Sequence, residues 1–241
     1  MKIAVISDIH GNLEAFREVL ADIDSAGAGP VLCLGDCVGY GADPEQVANL
    51  VRSRQVRTVM GNHELAIARP ETLSWFNASA RRSLRLTDEL ISEATRDWIR
   101  GLPPSMEFEQ GLFVHGCPPD SILEYLFEVE DDRLALLMGE MKQKVCFVGH
   151  THLLEAVRLK EGKITRRPLE RGTCPLDPHA RYVINIGSVG QPRDGDLSAK
   201  YVIWDTAENS LDARFVPYDA HTAAEKIIRL GFPRINADRL L

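Results

Sequence analysis

The sequence predicts an α/β fold: a four-layer α-β-β-α sandwich in which two mixed sheets pack face to face, with helices on both outer sides. Two features carry that expectation. Up to about residue 150, short apolar runs alternate with segments whose apolar residues recur at helical spacing, the pattern of a parallel sheet with right-handed crossovers. Beyond that point the helical patterns give way to closely spaced short strands, which read as a β meander supplying the second sheet.

Lys2 to Ile6 is an apolar run of strand length, and Leu13, Phe16, Leu20 and Ile23 then mark one face of a helix running through Asp24. Val31 to Leu34 is the second strand. Asp43-Pro44 opens the next helix with a capping residue and a proline at its first position, and Val47, Leu50 and Val51 form its apolar face. Val56 to Met60 is the third strand. From Ser74 to Arg100 the chain is polar with apolar residues at helical intervals, ending at Gly101-Leu102-Pro103-Pro104; this predicts a helical pair inserted at about residues 70–104. Leu112 to Val114 is a strand, and Ile122 to Met141 a helical stretch broken by acidic residues. Val145 to Val148 is followed by strands at Leu154–Lys160, Lys163–Pro168, Tyr182–Ile186, Lys200–Asp205 and Leu211–Pro217, and by a helix from Ala220 to Leu230. No linker or repeat interrupts the chain, so residues 1–241 are expected to form a single domain.

A chain of 241 residues that is 44% hydrophobic and 26% charged has enough apolar side chain for a sizeable core. Its formal charge of −7 argues against stable nucleic-acid binding, which needs clustered Lys and Arg. The doublets Arg81-Arg82 and Arg166-Arg167 read as solvated surface. No run approaches the ~18 apolar residues of a membrane span. The five cysteines, at 33, 37, 117, 146 and 174, form no CxxC pair, and an odd, unpaired set fits a reducing cytoplasm.

Function is concentrated where apolar runs end. Five of them stop at a cluster of Asp, Asn or His beside glycine: Asp8-Ile9-His10-Gly11-Asn12, Gly35-Asp36, Gly61-Asn62-His63-Glu64, His115-Gly116 and Gly149-His150-Thr151-His152. These hold five of the seven histidines; His179 and His221 lie apart and read as surface residues. In an α/β sheet the loops after the strands collect along one edge, where ligands bind. Residues two apart in extended chain point the same way, so Asp8 with His10, and His150 with His152, can face one ion. Mixed nitrogen and oxygen donors suit borderline divalent metals.

In this order, DxH, GD, GNHE, a lone His-Gly and GHTH resemble the calcineurin-like metallophosphoesterases, and Asn185-Ile186-Gly187-Ser188-Val189-Gly190-Gln191-Pro192-Arg193 is similar to a segment of the small bacterial, phosphodiesterase-like branch. The resemblance implies two divalent metal ions. Asp8, His10 and His152 would hold one, and Asn62, His115 and His150 the other, with Asp36 as the bridge. Mn²⁺ is the leading expectation, with Fe, Zn or Ni as alternatives. Two such ions ~3.5–4 Å apart lower the pKa of bound water, so a bridging hydroxide is the implied nucleophile. By the same resemblance His63 is the catalytic acid near the leaving oxygen, and Arg193 meets the substrate phosphate through its planar fork. Asn12 reads equally as a helix cap and as a substrate contact.

The implied activity is hydrolysis of a phosphodiester, phosphomonoester or phosphoanhydride in a small substrate, nucleotides among them. A diadenosine-polyphosphate hydrolase or serine/threonine protein phosphatase is the alternative, and a non-catalytic metal-binding scaffold a third reading. The protein phosphatases read GDxVDRG where this chain has Gly35-Asp36-Cys37-Val38-Gly39-Tyr40-Gly41. By the same resemblance the missing Asp orients the catalytic His and the missing Arg grips phosphate; Asp43 is the candidate to replace the first and Arg193 the second.

Overall fold

The computed structural model describes all 241 residues. Strand β1 (Lys2–Ile6) begins a six-stranded sheet in which it pairs in parallel with β2 (Val31–Cys33), which pairs in parallel with β3 (Arg57–Thr58). Helices α1 (Leu13–Ser25) and α2 (Pro44–Ser53) make the two crossovers. On its other side β1 pairs antiparallel with β11 (Ala199–Asp205), followed by β12 (Ser210–Val216) and β9 (Gly172–Pro175). The second sheet runs β4 (Ser105–Phe108), β5 (Gly111–Val114), β6 (Val145–Val148), β10 (Arg181–Ile186), β7 (Leu154–Lys160), β8 (Lys163–Pro168), with β5, β6 and β10 parallel and the outer strands antiparallel.

Alternation within strands makes the four layers. Ile3 and Val5 of β1 point into the space between sheets, where they meet Leu32, Phe147, Ile184 and Trp204; Ala4 and Ile6 point the other way, against Phe16, Val19 and Val47 of the helices. Phe113 and Phe147 stack at 5.1 Å between ring centres, and Phe147 lies 5.2 Å from Trp204 across the sheets. On the far side, Val114, Cys146 and Val183 pack against Leu134 and Met138 of α6 (Asp131–Glu140).

Two expectations need correction, and a third holds in part. The strands after residue 150 do not form a sheet of their own: β7, β8 and β10 complete the second sheet, while β9, β11 and β12 extend the first. Local alternation fixes which residues a strand buries but not which neighbour it pairs with. The stretch from Ile122 to Met141 is helical over Leu126–Glu128, a 3-10 turn, and over α6, with the break falling at Val129-Glu130; its first four residues are loop. Asp43 stands at the N-cap of α2 without capping it through its side chain; its carboxylate instead takes the Lys226 ammonium at 2.8 Å.

Residues 70–104 form the expected helical pair, α4 (Ala78–Leu90) capped by Asn77 and α5 (Glu93–Arg100) capped by Ser92, preceded by a 3-10 turn at Pro70–Trp75. They pack on α2 and on α3 (Asn62–Ala68). The C-terminus adds a hairpin of α7 (Ala220–Arg229) and α8 (Arg234–Asp238), whose Ile227, Phe232 and Leu240 bury against Ala42.

Candidate metal centre

All the loops singled out by the sequence meet at one edge of the sandwich, at the carboxyl ends of β1, β2, β5 and β6 and in the turns after β3 and β10. Asp8, His10, Asp36, Asn62, His63, His115, His150 and His152 are all buried there. Donor atoms of Asp8, His10 and His152 converge into one group and those of Asp36, His115 and His150 into another, each within 4.8 Å. Asp36 Oδ2 lies 3.7 Å from His10 Nε2 and 3.5 Å from His115 Nε2, so one carboxylate faces both groups. Asn62 Oδ1 is 3.0 Å from His115 Nε2.

The backbone puts them there by left-handed turns rather than by extended chain. Asp8, His10, Asp36, His150 and His152 have φ of 54°, 50°, 52°, 67° and 61°. Asp and His tolerate this region better than most residues, but each pays about 1–2 kcal/mol to occupy it. Strain of this kind persists where the surroundings over-determine it, and it gathers at functional sites. Here the surroundings are hydrogen bonds: Asp8 N–H donates to the Gly35 carbonyl at 3.0 Å, His10 N–H to the Asp36 carbonyl at 2.8 Å, and Gly190 N–H to the Asp8 carbonyl at 2.9 Å.

Four imidazoles share one arrangement. A backbone carbonyl only accepts, so the ring nitrogen facing it carries the proton. Nδ1–H of His10 donates to the Val38 carbonyl (3.2 Å), Nδ1–H of His115 to that of Leu34 (2.8 Å), Nε2–H of His150 to that of Leu123 (3.2 Å), and Nδ1–H of His152 to that of Gln191. The opposite nitrogens face inward, His10 Nε2 with His152 Nε2 at 3.1 Å and His115 Nε2 with His150 Nδ1 at 3.1 Å; that of His115 also faces Asn62 Oδ1 and the Asp36 carboxylate, which hold a proton on it in the metal-free protein. Asp8 Oδ1 is buried beside them without a hydrogen-bond donor. Orientation by an outer carbonyl is how metal-ligating histidines are fixed.

The electrostatics follow from this crowding. Burial would lower His115, but the Asp36 carboxylate prevails and pushes it up to about 10. Burial, with His115 as neighbour, lowers His150 to about 3. Burial likewise lowers His63 to about 4, against the pull of Asp36. Asp8 sits below the usual carboxylate range: burial opposes ionisation, and His152 more than offsets it.

His63 stands beside the two groups, its Nε2 3.9 Å from Asp36 Oδ2, and its Nδ1 is buried without a partner. The expected orienting acid, Asp43, is engaged with Lys226 and does not reach it. What the ring needs instead is space: Gly39 has φ +91°, and a Cβ there would fall 1.9 Å from His63 Nδ1. Asn12 is a cap, Oδ1 accepting from Ala15 N–H at 3.1 Å while Nδ2 donates to the Gly190 carbonyl at 3.0 Å; both ends of its carboxamide are thus engaged. Arg193 is exposed and makes no ion pair with Asp194, which takes Lys200 at 2.8 Å. Asn185 Nδ2 donates to the Gly149 carbonyl, tying β10 to the loop of His150 and His152.

Sequence reading missed three contributors. Glu64, fully buried, accepts from the N–H groups of Asp36 (2.7 Å), Gly61 (3.0 Å) and Val38 (3.2 Å), clamping the Asp36 loop to the start of α3. Its signal was the spacing Gly61-x-x-Glu64, the carboxylate half of a capping box. Tyr125 stacks on His150 at 3.9 Å, from the loop that leads into the 3-10 turn at Leu126–Glu128. Tyr40 lies 4.6 Å from His10 and 4.5 Å from His63 between ring centres. Trp75, Phe76, Leu123 and Tyr125 wall a cleft of about 500 Å³ that opens onto Asn62 and His150.

This sandwich, with a rim of His and Asp at its loop edge, defines the class of metallophosphoesterases. The sequence model of the calcineurin-like phosphoesterase superfamily domain matches residues 1–209, and the chain belongs to that family. It is 37% identical over 244 aligned residues to the uncharacterized protein MJ0912 of Methanocaldococcus jannaschii, covering 99% of this chain and 96% of that one. A crystal structure of a metallophosphoesterase from Sphaerobacter thermophilus is similar across 100% of this chain and 98% of its own, with a TM-score of 0.85 and 31% identity. Hypothetical protein PH1004 of Pyrococcus horikoshii shares the fold at a TM-score of 0.80 and 17% identity, over 99% and 97% of the two chains. The family is metal-dependent and hydrolytic, and no helix of this chain is long and apolar enough to cross a membrane.

Proposed function

We propose that the chain hydrolyses a small phosphodiester, phosphomonoester or phosphoanhydride with the help of two divalent cations. The observation that carries this reading is the set of four inward imidazole nitrogens around the shared carboxylate of Asp36. Nitrogens 3.1 Å apart repel unless a cation or a proton lies between them, and a metal can take the place of the proton on His115, so the donor set fits metal. Asp8, His10 and His152 would hold one ion; Asn62, His115 and His150 would hold the other; Asp36 would serve both. Imidazole with carboxylate suits Mn²⁺, Fe²⁺, Zn²⁺ and Ni²⁺, and Mn²⁺ is the first to try. Bound there, the ions supply an acidified water and positive charge for in-line displacement.

The chain's own groups do the rest. Buried and neutral, His63 gains basicity when an anionic phosphate enters beside it, because negative charge favours the imidazolium. Having taken up a proton from solvent as the phosphate enters, it gives a proton from Nε2, the nitrogen turned toward the two groups, to the departing oxygen, and returns to the neutral ring. Arg193 on the rim offers its guanidinium to phosphoryl oxygens of the substrate. The aromatic cleft has the size of a small-molecule site rather than of a protein surface, which favours small esters over phosphoproteins. Its five cysteines are all free thiols, and we place the chain in a reducing cytoplasm.

The test is a substrate panel after chelation and return of Mn²⁺: nitrophenyl mono- and diesters, nucleotides, dinucleotides and phosphopeptides. Hydrolysis by the wild type, reduced by about 100-fold or more in His63→Ala and Asp36→Asn, supports the reading. Wild-type turnover at the uncatalysed rate for every ester and metal would leave the scaffold instead.

A further inference from the structure

We propose that Arg193 and Arg239, drawn together on Gln191 beside Tyr40, form a subsite for a second phosphoryl group, so that the substrate carries a diphosphate. The inference rests on the hydrolase reading and narrows it to phosphoanhydride-bearing compounds such as a nucleoside diphosphate.

Nη2 of Arg193 donates to Gln191 Oε1 at 2.9 Å, and Nη1 of Arg239 donates to the same oxygen at 3.2 Å. Two guanidinium groups thus share one uncharged acceptor. Neither has a carboxylate partner, and the nearest acidic residues in sequence are taken elsewhere, Asp194 by Lys200 at 2.8 Å and Asp238 by Arg234 at 3.3 Å. Burial and the neighbouring Arg193 together lower the affinity of Arg239 for its proton. A pair held for structure would be expected to gain by enclosing an Asp or Glu; a pair left uncompensated at the rim offers a planar, bidentate grip for phosphate oxygens.

Its place is set by the candidate metal centre. The guanidinium carbon of Arg193 lies 5.9 Å from the centre of the Tyr40 ring, which is itself in contact with the rings of His10 and His63. Arg193 therefore stands one aromatic ring away from the candidate metal centre, and Arg239 shares its Gln191 acceptor, so the pair is placed to take a phosphoryl group next to one held at that centre. Gln191 is fixed from the same direction, its carbonyl accepting from His152 and its N–H donating to Ser188 Oγ at 2.8 Å, which donates in turn to the Asp8 carbonyl at 2.8 Å.

Arg239 follows α8, beyond the 1–209 family match. The hairpin that carries it is keyed to the Tyr40 loop by buried Asn236, whose Nδ2 donates to the Tyr40 carbonyl at 3.1 Å and to Ser83 Oγ at 2.8 Å. The C-terminal hairpin thus brings a second cation to an edge where the family-matched residues place one.

The experiment is calorimetric titration of the Mn²⁺-loaded protein with AMP and with the non-hydrolysable α,β-methylene analogue of ADP. Wild type is expected to prefer the diphosphate by about tenfold or more, as an added charge-assisted pair of hydrogen bonds allows. Arg239→Ala is expected to bring the two ligands within about threefold, and Arg239→Lys to fall between, because an ammonium keeps the charge without the fork. Unchanged preference in Arg239→Ala, with an unchanged melting temperature, overturns the subsite; so does a wild type indifferent to the second phosphate. Preference that disappears with Arg239 in a protein that hydrolyses no ester upholds the subsite and overturns the hydrolase reading.

Discussion

Nε2 of His10 faces Nε2 of His152 at 3.1 Å, while the far nitrogen of each ring is already committed to a backbone carbonyl. Two lone pairs pointed at each other in a buried space are unfavourable unless something positive lies between them. Metal loading should therefore stabilise the fold, and by mass action an ion present at 100 times its Kd adds about 2.7 kcal/mol. Differential scanning calorimetry with chelator and then with excess Mn²⁺ should show a rise of several degrees. Equal melting temperatures would contradict this.

His115 gives the pH dependence. Its folded value near 10 stands above that of the unfolded chain near ~6.5. A raised value means that its contribution to the metal-free fold is full below pH ~6.5 and is lost as pH rises toward about 10. The metal-free melting temperature should fall across that window, and His115→Gln should flatten the fall. Metal affinity should move the opposite way, rising with pH as less proton has to be displaced. Titration in buffers of different ionisation enthalpy should report about one proton released at pH 8.

Gly39→Ala should damage turnover more than stability. The new Cβ would meet His63 Nδ1 at 1.9 Å, and a displacement of about 1 Å in a catalytic group can cost about 100-fold. Gly162→Ala is the control: Gly162 has φ +75° but nothing within 4 Å of an added Cβ, so it carries the backbone strain alone. Similar kcat values in the two variants would remove His63 from the proposed chemistry.

Glu64→Ala should be costly for a residue that need not touch substrate. It leaves three buried backbone N–H groups, those of Asp36, Val38 and Gly61, without their acceptor. Loss of about 2 kcal/mol or more is expected in urea denaturation, together with weaker metal binding because Asp36 loses its clamp. A loss below about 0.5 kcal/mol would show that water replaces the carboxylate.

Much of this could be read from the chain before folding was considered. β1 was legible because Ile3, Ala4, Val5 and Ile6 are apolar on both faces, as a strand between helices and a second sheet must be. His115 carries no signal alone and became a candidate only in company with the other motifs. The left-handed conformations of Asp8, His10, Asp36, His150 and His152 were not legible, since Asp and His also occupy ordinary backbone. β9, Gly-Thr-Cys-Pro on a sheet edge, has too little alternation to announce itself. Arg239 belongs to no recognisable motif, and only the hairpin's contacts with the Tyr40 loop and with Gln191 give it a place.

The central claim is that one carboxylate, Asp36, lies between two cation sites. Elemental analysis of Mn²⁺-loaded protein after removal of free metal tests it most directly, with His150→Ala and wild type measured together. Two ions per chain in the wild type and one in the variant are predicted. A wild type that retains no divalent metal, or the same single ion as the variant, would contradict the account.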